Sequence, residues 1–139
     1  IKYNVPARLI EIELTETALL KDSITSRQIL THIAEGGCHL SLDDFGTGYS
    51  SIAHLRNYPI SIVKIDKSLM PLDVKDIRLT ALVKSLVSMA GILGLKVIAE
   101  GVETEYHAQL CKQFNIGRAQ GFYYSRPKSQ HDIETIYLT

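Results

Sequence analysis

Short apolar, β-branched runs alternate along this chain with longer stretches in which apolar residues recur every three or four positions. Five such pairs can be read. The first run is Leu9-Ile10-Glu11-Ile12-Glu13-Leu14. The stretch from about Ser26 to Glu35 then sets Ile29, Leu30 and Ile33 on one helical face and stops at Gly36-Gly37. A second run, His39-Leu40-Ser41-Leu42-Asp43, opens into the loop Asp44-Phe45-Gly46-Thr47-Gly48, and a short helix is expected around Ser51 to Arg56. The third run is Ser61-Ile62-Val63-Lys64-Ile65-Asp66. The most regular helix follows, with Leu79, Leu82, Val83, Leu86, Val87, Ala90 and Leu93 on one stripe and Gly94 as its stop. The fourth run is Lys96-Val97-Ile98-Ala99-Glu100, followed by a helix capped by Thr104 that carries Leu110, Cys111 and Phe114. A fifth run near Arg118 to Phe122 precedes a last helix, capped by Ser129 or Asp132, that is expected to pack Ile133, Ile136 and Tyr137.

Repeated strand-then-helix units predict an α/β fold with a parallel sheet, because each parallel crossover has room for one helix and needs one. Two architectures accommodate five units: an open, doubly wound sheet, and part of an eight-stranded (β/α)8 TIM-like barrel. The period does not choose between them.

Composition narrows the functional classes. With 139 residues, 45% hydrophobic and 22% charged, the chain reads as one ordinary globular domain without linker or low-complexity tract. Lys plus Arg and Asp plus Glu each number 15, so no long-range field draws it to a nucleic-acid polymer or an anionic membrane. No apolar run reaches the roughly 20 residues that span a bilayer, and no basic-then-apolar leader opens the sequence; a cytoplasmic location is expected. Cys38 and Cys111 lie far apart and outside any zinc-like spacing, as two half-buried thiols would.

Glu13, Asp43 with Asp44, Lys64 with Asp66, Glu100 and Gln120 each fall at or just past the end of a different run. In either architecture those strand ends converge on one rim, where ligands bind. Glu13, Asp43, Asp44 and Glu100 are carboxylates, which repel at short range unless they are protonated or share a cation. An all-oxygen set selects a hard ion, magnesium, manganese or calcium, over zinc or copper. Lys64, aimed the same way, could hold a nucleophilic water or stabilise charge on a phosphate. The set suits phosphodiester hydrolysis assisted by two metal ions.

Plainer readings stand beside this one. A single Asp at a strand end is commonly a helix cap or loop anchor, and Asp44-Phe45-Gly46-Thr47-Gly48 has neither Walker nor dinucleotide-loop spacing. Glu16 and Glu103 read as first-turn surface residues, the five histidines are scattered, and Tyr123 and Tyr124 could stack on a base or simply pack.

Taken in order, Glu13-Leu14-Thr15-Glu16, Asp43-Asp44-Phe45-Gly46-Thr47-Gly48-Tyr49-Ser50-Ser51, Lys64-Ile65-Asp66, Ile98-Ala99-Glu100-Gly101-Val102-Glu103 and Gln120-Gly121-Phe122 resemble the signature blocks of the EAL-type cyclic di-GMP phosphodiesterases. The resemblance covers nearly the whole chain and implies a modified (β/α)8 barrel. By it, Glu13, Asp43 and Asp44 correspond to ligands of two Mg2+ or Mn2+ ions, and Glu100 to a further metal-linked acid or the base acting on water. Lys64 corresponds to the lysine that positions the attacking water, with Asp66 in support. Glu16 corresponds to the residue that holds the loop after the aspartates, and Gln120 to one lining the nucleotide pocket. The implied reaction turns cyclic di-GMP into the linear dinucleotide, with calcium inhibiting.

The sequence departs from the family at its start. The Glu-Ala-Leu block and a later asparagine, both metal ligands in the family, have no counterpart here, so the chain reads as the C-terminal portion of the domain, about five strands of eight. Three expectations follow. Activity in isolation is little or none, because missing ligands weaken the metal site. Open sheet edges and an uncovered apolar interior favour homo-oligomers. A non-catalytic protein- or nucleotide-binding role is the alternative. A phosphoacceptor receiver domain fits less well, because there the acidic pair follows the first strand and the lysine the last.

Overall fold

The structure, a computed structural model, describes residues 4–20, 23–47, 55 and 57–138. Among them, five strands form one parallel sheet: β1 (Glu11–Thr15), β2 (His39–Phe45), β3 (Ile62–Ile65), β4 (Lys96–Ala99) and β5 (Arg118–Ala119). The helices are α1 (Glu16–Leu20), α2 (Ile24–Glu35), α3 (Ile77–Ile92), α4 (Glu105–Gln113) and α5 (Gln130–Tyr137), with 3-10 turns at Ala7–Leu9 and Lys67–Leu69.

Strand order decides between the two architectures. The order is β1-β2-β3-β4-β5, each strand beside the one before it. A doubly wound sheet starts in its middle and reverses, whereas sequential order winds every crossover the same way and keeps the helices on one face, as in a barrel wall. The core lies between that face and the helices: Leu42, Val63, Ile65, Val97 and Ala99 meet Val83 and Ala90 of α3 and Ala108 and Cys111 of α4.

The opposite face is concave. Glu11 and Arg118, on the first and last strands, bring their charged groups within 3.9 Å. A flat sheet with strands about 4.8 Å apart would hold β1 and β5 roughly 19 Å from each other, so the sheet is rolled. This concave face carries the charged residues Glu11, Glu13, Asp43, Lys64, Glu100 and Arg118, and its apolar members Ile62 and Ile98 are buried. Among the described residues the expected uncovered apolar interior is therefore not found: charged side chains line the concave face.

Most helix ends follow their sequence signals. Ser23 caps α2 by accepting from Ser26 N, Asp76 caps α3, Thr104 caps α4, and Ser129 with Asp132 forms a capping box on α5. Gly94 stands directly beyond the C-cap of α3, where its stop was expected.

Several expectations need correction. The first strand begins at Glu11 rather than Leu9, because Pro6 caps a 3-10 turn over Ala7–Leu9. It continues through Thr15, which pairs with Asp43, so Glu13 sits mid-strand rather than at the end. The fifth strand stops at Ala119. There the chain turns past Val102, whose backbone lies so close to Gly121 that a Cβ on it would fall 2.2 Å from the Val102 carbonyl oxygen. The α3 stripe is narrower than its pattern: Val83 and Ala90 are buried, while Leu82 and Leu93 are exposed. Ile133, Ile136 and Tyr137 of α5 are exposed too, since no residue of that helix is buried. Cys111 is fully buried, and burial pushes its thiol pKa up; Cys38 is half-buried. Of the short helix expected over 51–56, all but Leu55 lies outside the described residues, and so do residues 48–50 of the glycine loop. No described helix is long and apolar enough to cross a membrane.

Candidate functional site

The site is built around Lys64. Its neighbours on β3, Ile62, Val63 and Ile65, are wholly buried, and its own side chain is 4% exposed. Its Nζ lies 2.6 Å from Glu100 Oε1, 2.8 Å from Glu13 Oε1 and 3.2 Å from Asp43 Oδ1.

Strand register explains the convergence. Lys64 pairs with Ile98, and Glu100 stands two residues further along the same face. Ser41 links the other side by pairing with both Glu13 and Ile62, the residue two before Lys64. Successive residues of a strand face opposite ways, so Asp43 and Asp44 could not both belong to one cluster on a regular strand. A bulge between Leu42 and Phe45 breaks the alternation, with Asp44 in the left-handed region at φ 57°. Asp43 turns to the lysine. Asp44 is exposed, and its backbone oxygen accepts from Thr47 N and Thr47 Oγ1.

Burial opposes the charge of Lys64, but the hydrogen bonds to Glu100 and Glu13 and the nearby Asp43 carboxylate outweigh it and raise its pKa above the ordinary lysine value. Lys64 is therefore a fixed cation at any physiological pH. Asp43 Oδ1 is buried and meets Nζ outside good hydrogen-bonding angle, so its attraction is chiefly coulombic.

Glu100 is held from a second side, where Gln120 Nε2 donates to the same Oε1 at 3.2 Å. The turn after it depends on Gly101, whose φ is 59° and where a Cβ would fall 2.2 Å from Lys67 Cβ. Asp66 does not join the cluster. Its carboxylate accepts from Ser68 N at 2.9 Å and caps the turn Lys67–Leu69, and the Ser68 side chain, with this backbone bond in support, holds its pKa below the ordinary value. Glu16 opens α1 with its Oε1 buried. Tyr123 and Tyr124 pack edge to face on each other, 5.4 Å between ring centres.

Two features were not read from the sequence. His107 is buried; its Nδ1 accepts from Glu103 N at 3.2 Å, and its Nε2 donates to the Pro71 carbonyl at 3.0 Å. That pair of bonds ties the loop after Glu100 to the segment after β3. A readable signal was the placement of a histidine three residues after the Thr104 cap. Beside Gln120, an open groove of about 530 Å3 is lined by Lys67, Phe122, Arg126 and Lys128, with the Arg126 guanidinium 4.5 Å above the Phe122 ring. Arg126 and Lys128, six and eight residues past Gln120, were its trace in the sequence.

The donor set suits a hard divalent ion: every candidate ligand is a carboxylate, Asp43 Oδ1 is buried without a well-formed hydrogen bond, and the cluster already encloses a cation. The oxygens are gathered around the ammonium, however. Among the described residues no three Asp, Glu, His or Cys side chains converge at metal-ligand spacing.

The EAL domain family model matches residues 1–127. The chain belongs to the EAL domain family. Over 127 residues it is 38% identical to the cyclic di-GMP phosphodiesterase NbdA of Pseudomonas aeruginosa, covering 89% of this chain and 16% of that protein. The EAL domain of Mycobacterium smegmatis DcpA superimposes with a TM-score of 0.90 at 33% identity, covering 99% of this chain and 61% of that one. Klebsiella pneumoniae BlrP1, solved as a manganese and cyclic di-GMP complex, matches with a TM-score of 0.76 at 33% identity, covering 88% of this chain and 31% of that one. The chain thus spans a fraction of each, and 16 to 20% of its curated relatives. EAL domains are TIM-barrel-like, in keeping with the rolled, sequentially ordered sheet.

Proposed function

We propose that this EAL chain contributes the C-terminal portion of a metal-dependent centre that hydrolyses cyclic di-GMP to the linear dinucleotide. The observation that carries the reading is the convergence of Glu13 from β1, Asp43 from β2 and Glu100 from just past β4 on the buried Lys64. Glu13, Asp43 and Asp44 would hold two Mg2+ or Mn2+ ions, with Glu100 alongside. Bound divalent ions supply Lewis-acid screening of phosphate oxygens and favour ionisation of water.

The protein groups divide the remaining work. Lys64 donates to the attacking water and orients it for in-line approach to phosphorus. Glu100 accepts the proton that the water loses, and Gln120 fixes the carboxylate that receives it. Asp66 supports from one residue further by capping the turn that follows Lys64-Ile65, and Glu16 steadies the loop after the aspartates. The groove of Lys67, Phe122, Arg126 and Lys128 offers cations and an aromatic face to an anionic nucleotide.

Purified chain, cyclic di-GMP and Mn2+ provide the test, with nucleotide binding followed by calorimetry and product by chromatography. Saturable binding with little turnover is expected, and Asp43→Asn should abolish whatever turnover exists. Absence of nucleotide binding with and without Mn2+ rules the reading out. A second reading, nucleotide binding without hydrolysis, draws support from the gathering of Glu13, Asp43 and Glu100 around the Lys64 ammonium; saturable binding with no product at all favours it. Self-association through the outer edges of β1 and β5 belongs to the same proposal, and a sedimentation mass equal to one chain would remove it.

A further inference from the structure

The carboxylates assigned to divalent ions already hold a cation. We propose that Lys64 is the resident counter-ion of this site: in the metal-free chain its ammonium gathers Glu13, Asp43 and Glu100, and a divalent ion enters by displacing it from them. The inference rests on the metal-dependent reading above and adds an order of events. Cation exchange comes first, and it releases Lys64 toward the reacting phosphate.

Three observations support it. The contacts of Nζ at 2.6 and 2.8 Å are charge-assisted hydrogen bonds, and with them a side chain only 4% exposed is a tolerable place for a charge. The acids are collected around nitrogen, with no three at metal-ligand spacing among the described residues, so the present arrangement is an ammonium cage rather than a preset ion cage. The charges are also unbalanced: three carboxylates face one ammonium, and a dication added to the set would neutralise it with the lysine still nearby. The four-carbon stem of lysine lets Nζ swing while β3 stays fixed. Displacement then means a change of partner for the ammonium, with no backbone movement.

Because Lys64 competes for the same oxygens and repels an incoming dication, removing it should tighten metal binding; a purely supporting lysine would do the opposite. The experiment titrates Mn2+ into the unaltered chain and into Lys64→Met and Lys64→Gln, using the electron paramagnetic resonance signal of free Mn2+, with circular dichroism confirming the fold. The expected result is Mn2+ affinity higher by about tenfold or more in either variant, with a thermal midpoint that is lowered without Mn2+ and regained on adding it. Equal or weaker Mn2+ binding by a folded variant, beside normal binding by the unaltered chain, overturns the inference and leaves the metal-dependent reading standing. Failure of both proteins to bind Mn2+ overturns both. Should neither variant fold, the 15N–1H ammonium resonance of Lys64 in the unaltered chain decides. Mg2+ at concentrations shown by calorimetry to saturate the site should shift or remove it, and an unchanged resonance overturns the proposal.

Discussion

Glu100 stands just past β4, two residues beyond the register partner of Lys64, yet their charged atoms lie 2.6 Å apart, the shortest ion pair of the cluster. The other long-reaching pair on the same face, Glu11 with Arg118, is separated by 3.9 Å, and its arginine side chain is 53% exposed. Burial and geometry set their worth apart. Double-mutant cycles in urea should give a coupling of about 1 to 3 kcal/mol for Lys64 with Glu100. Glu11 with Arg118 should give under about 0.5 kcal/mol, falling further in salt. Equal couplings would contradict this account of the concave face.

Asp43→Asn separates stability from function. The cluster carries more acid than base, and Asp43 Oδ1 contributes attraction without a well-formed hydrogen bond. Without metal, the substitution should change stability by less than about 1 kcal/mol in either direction, while Mn2+ affinity falls by an order of magnitude or more. Urea midpoints and Mn2+ titration on the same preparation give both numbers.

Gly101→Ala should be among the most damaging loop changes. A Cβ there meets Lys67 Cβ at 2.2 Å, and φ at 59° disfavours any L side chain. A loss of about 2 to 4 kcal/mol is expected, read as a lower urea midpoint at unchanged slope.

Asp66 gives a pH signature. Its folded pKa is depressed, first by the hydrogen bond from Ser68, so it stabilises the fold above its unfolded value near 3.8 and loses that contribution as pH falls through the depressed folded value. Asp66→Asn should therefore reduce stability at pH 6 and converge on the unaltered chain at the acid end. Parallel stability curves from pH 6 to pH 2 would show that the cap carries no charge dependence.

How much of this was legible in the sequence depended on range. Period and caps are local, so all five strands and the caps Thr104 and Ser129 could be read directly, and the acids at strand ends announced a common rim. Sequential strand order was not in the pattern, because alternating βα units serve either winding; the EAL resemblance pointed to the barrel, and register confirmed it. Lys64 was readable as a member of the site but not as its centre, since that requires the pairing of Ile62 and Ser41 to be known. Asp66, following Lys64-Ile65, shares the end of the strand by position, and what position could not announce is the turn at Lys67–Leu69 that its carboxylate caps. The α5 stripe failed for the opposite reason. An amphipathic period gives a helix an apolar side without supplying anything to cover it.

Consecutive pairing of neighbours gives this sheet a seam-by-seam character. Each junction joins segments close in the chain, so zippering can proceed from one unit to the next with short loops to close and little entropy spent on distant searching. Damage at one junction is confined in the same way: a lesion in the β4–β5 seam leaves the β1–β2 seam its full complement of partners. Growth is also possible only at the two outer seams, where a further strand could join without unpicking any bond already made.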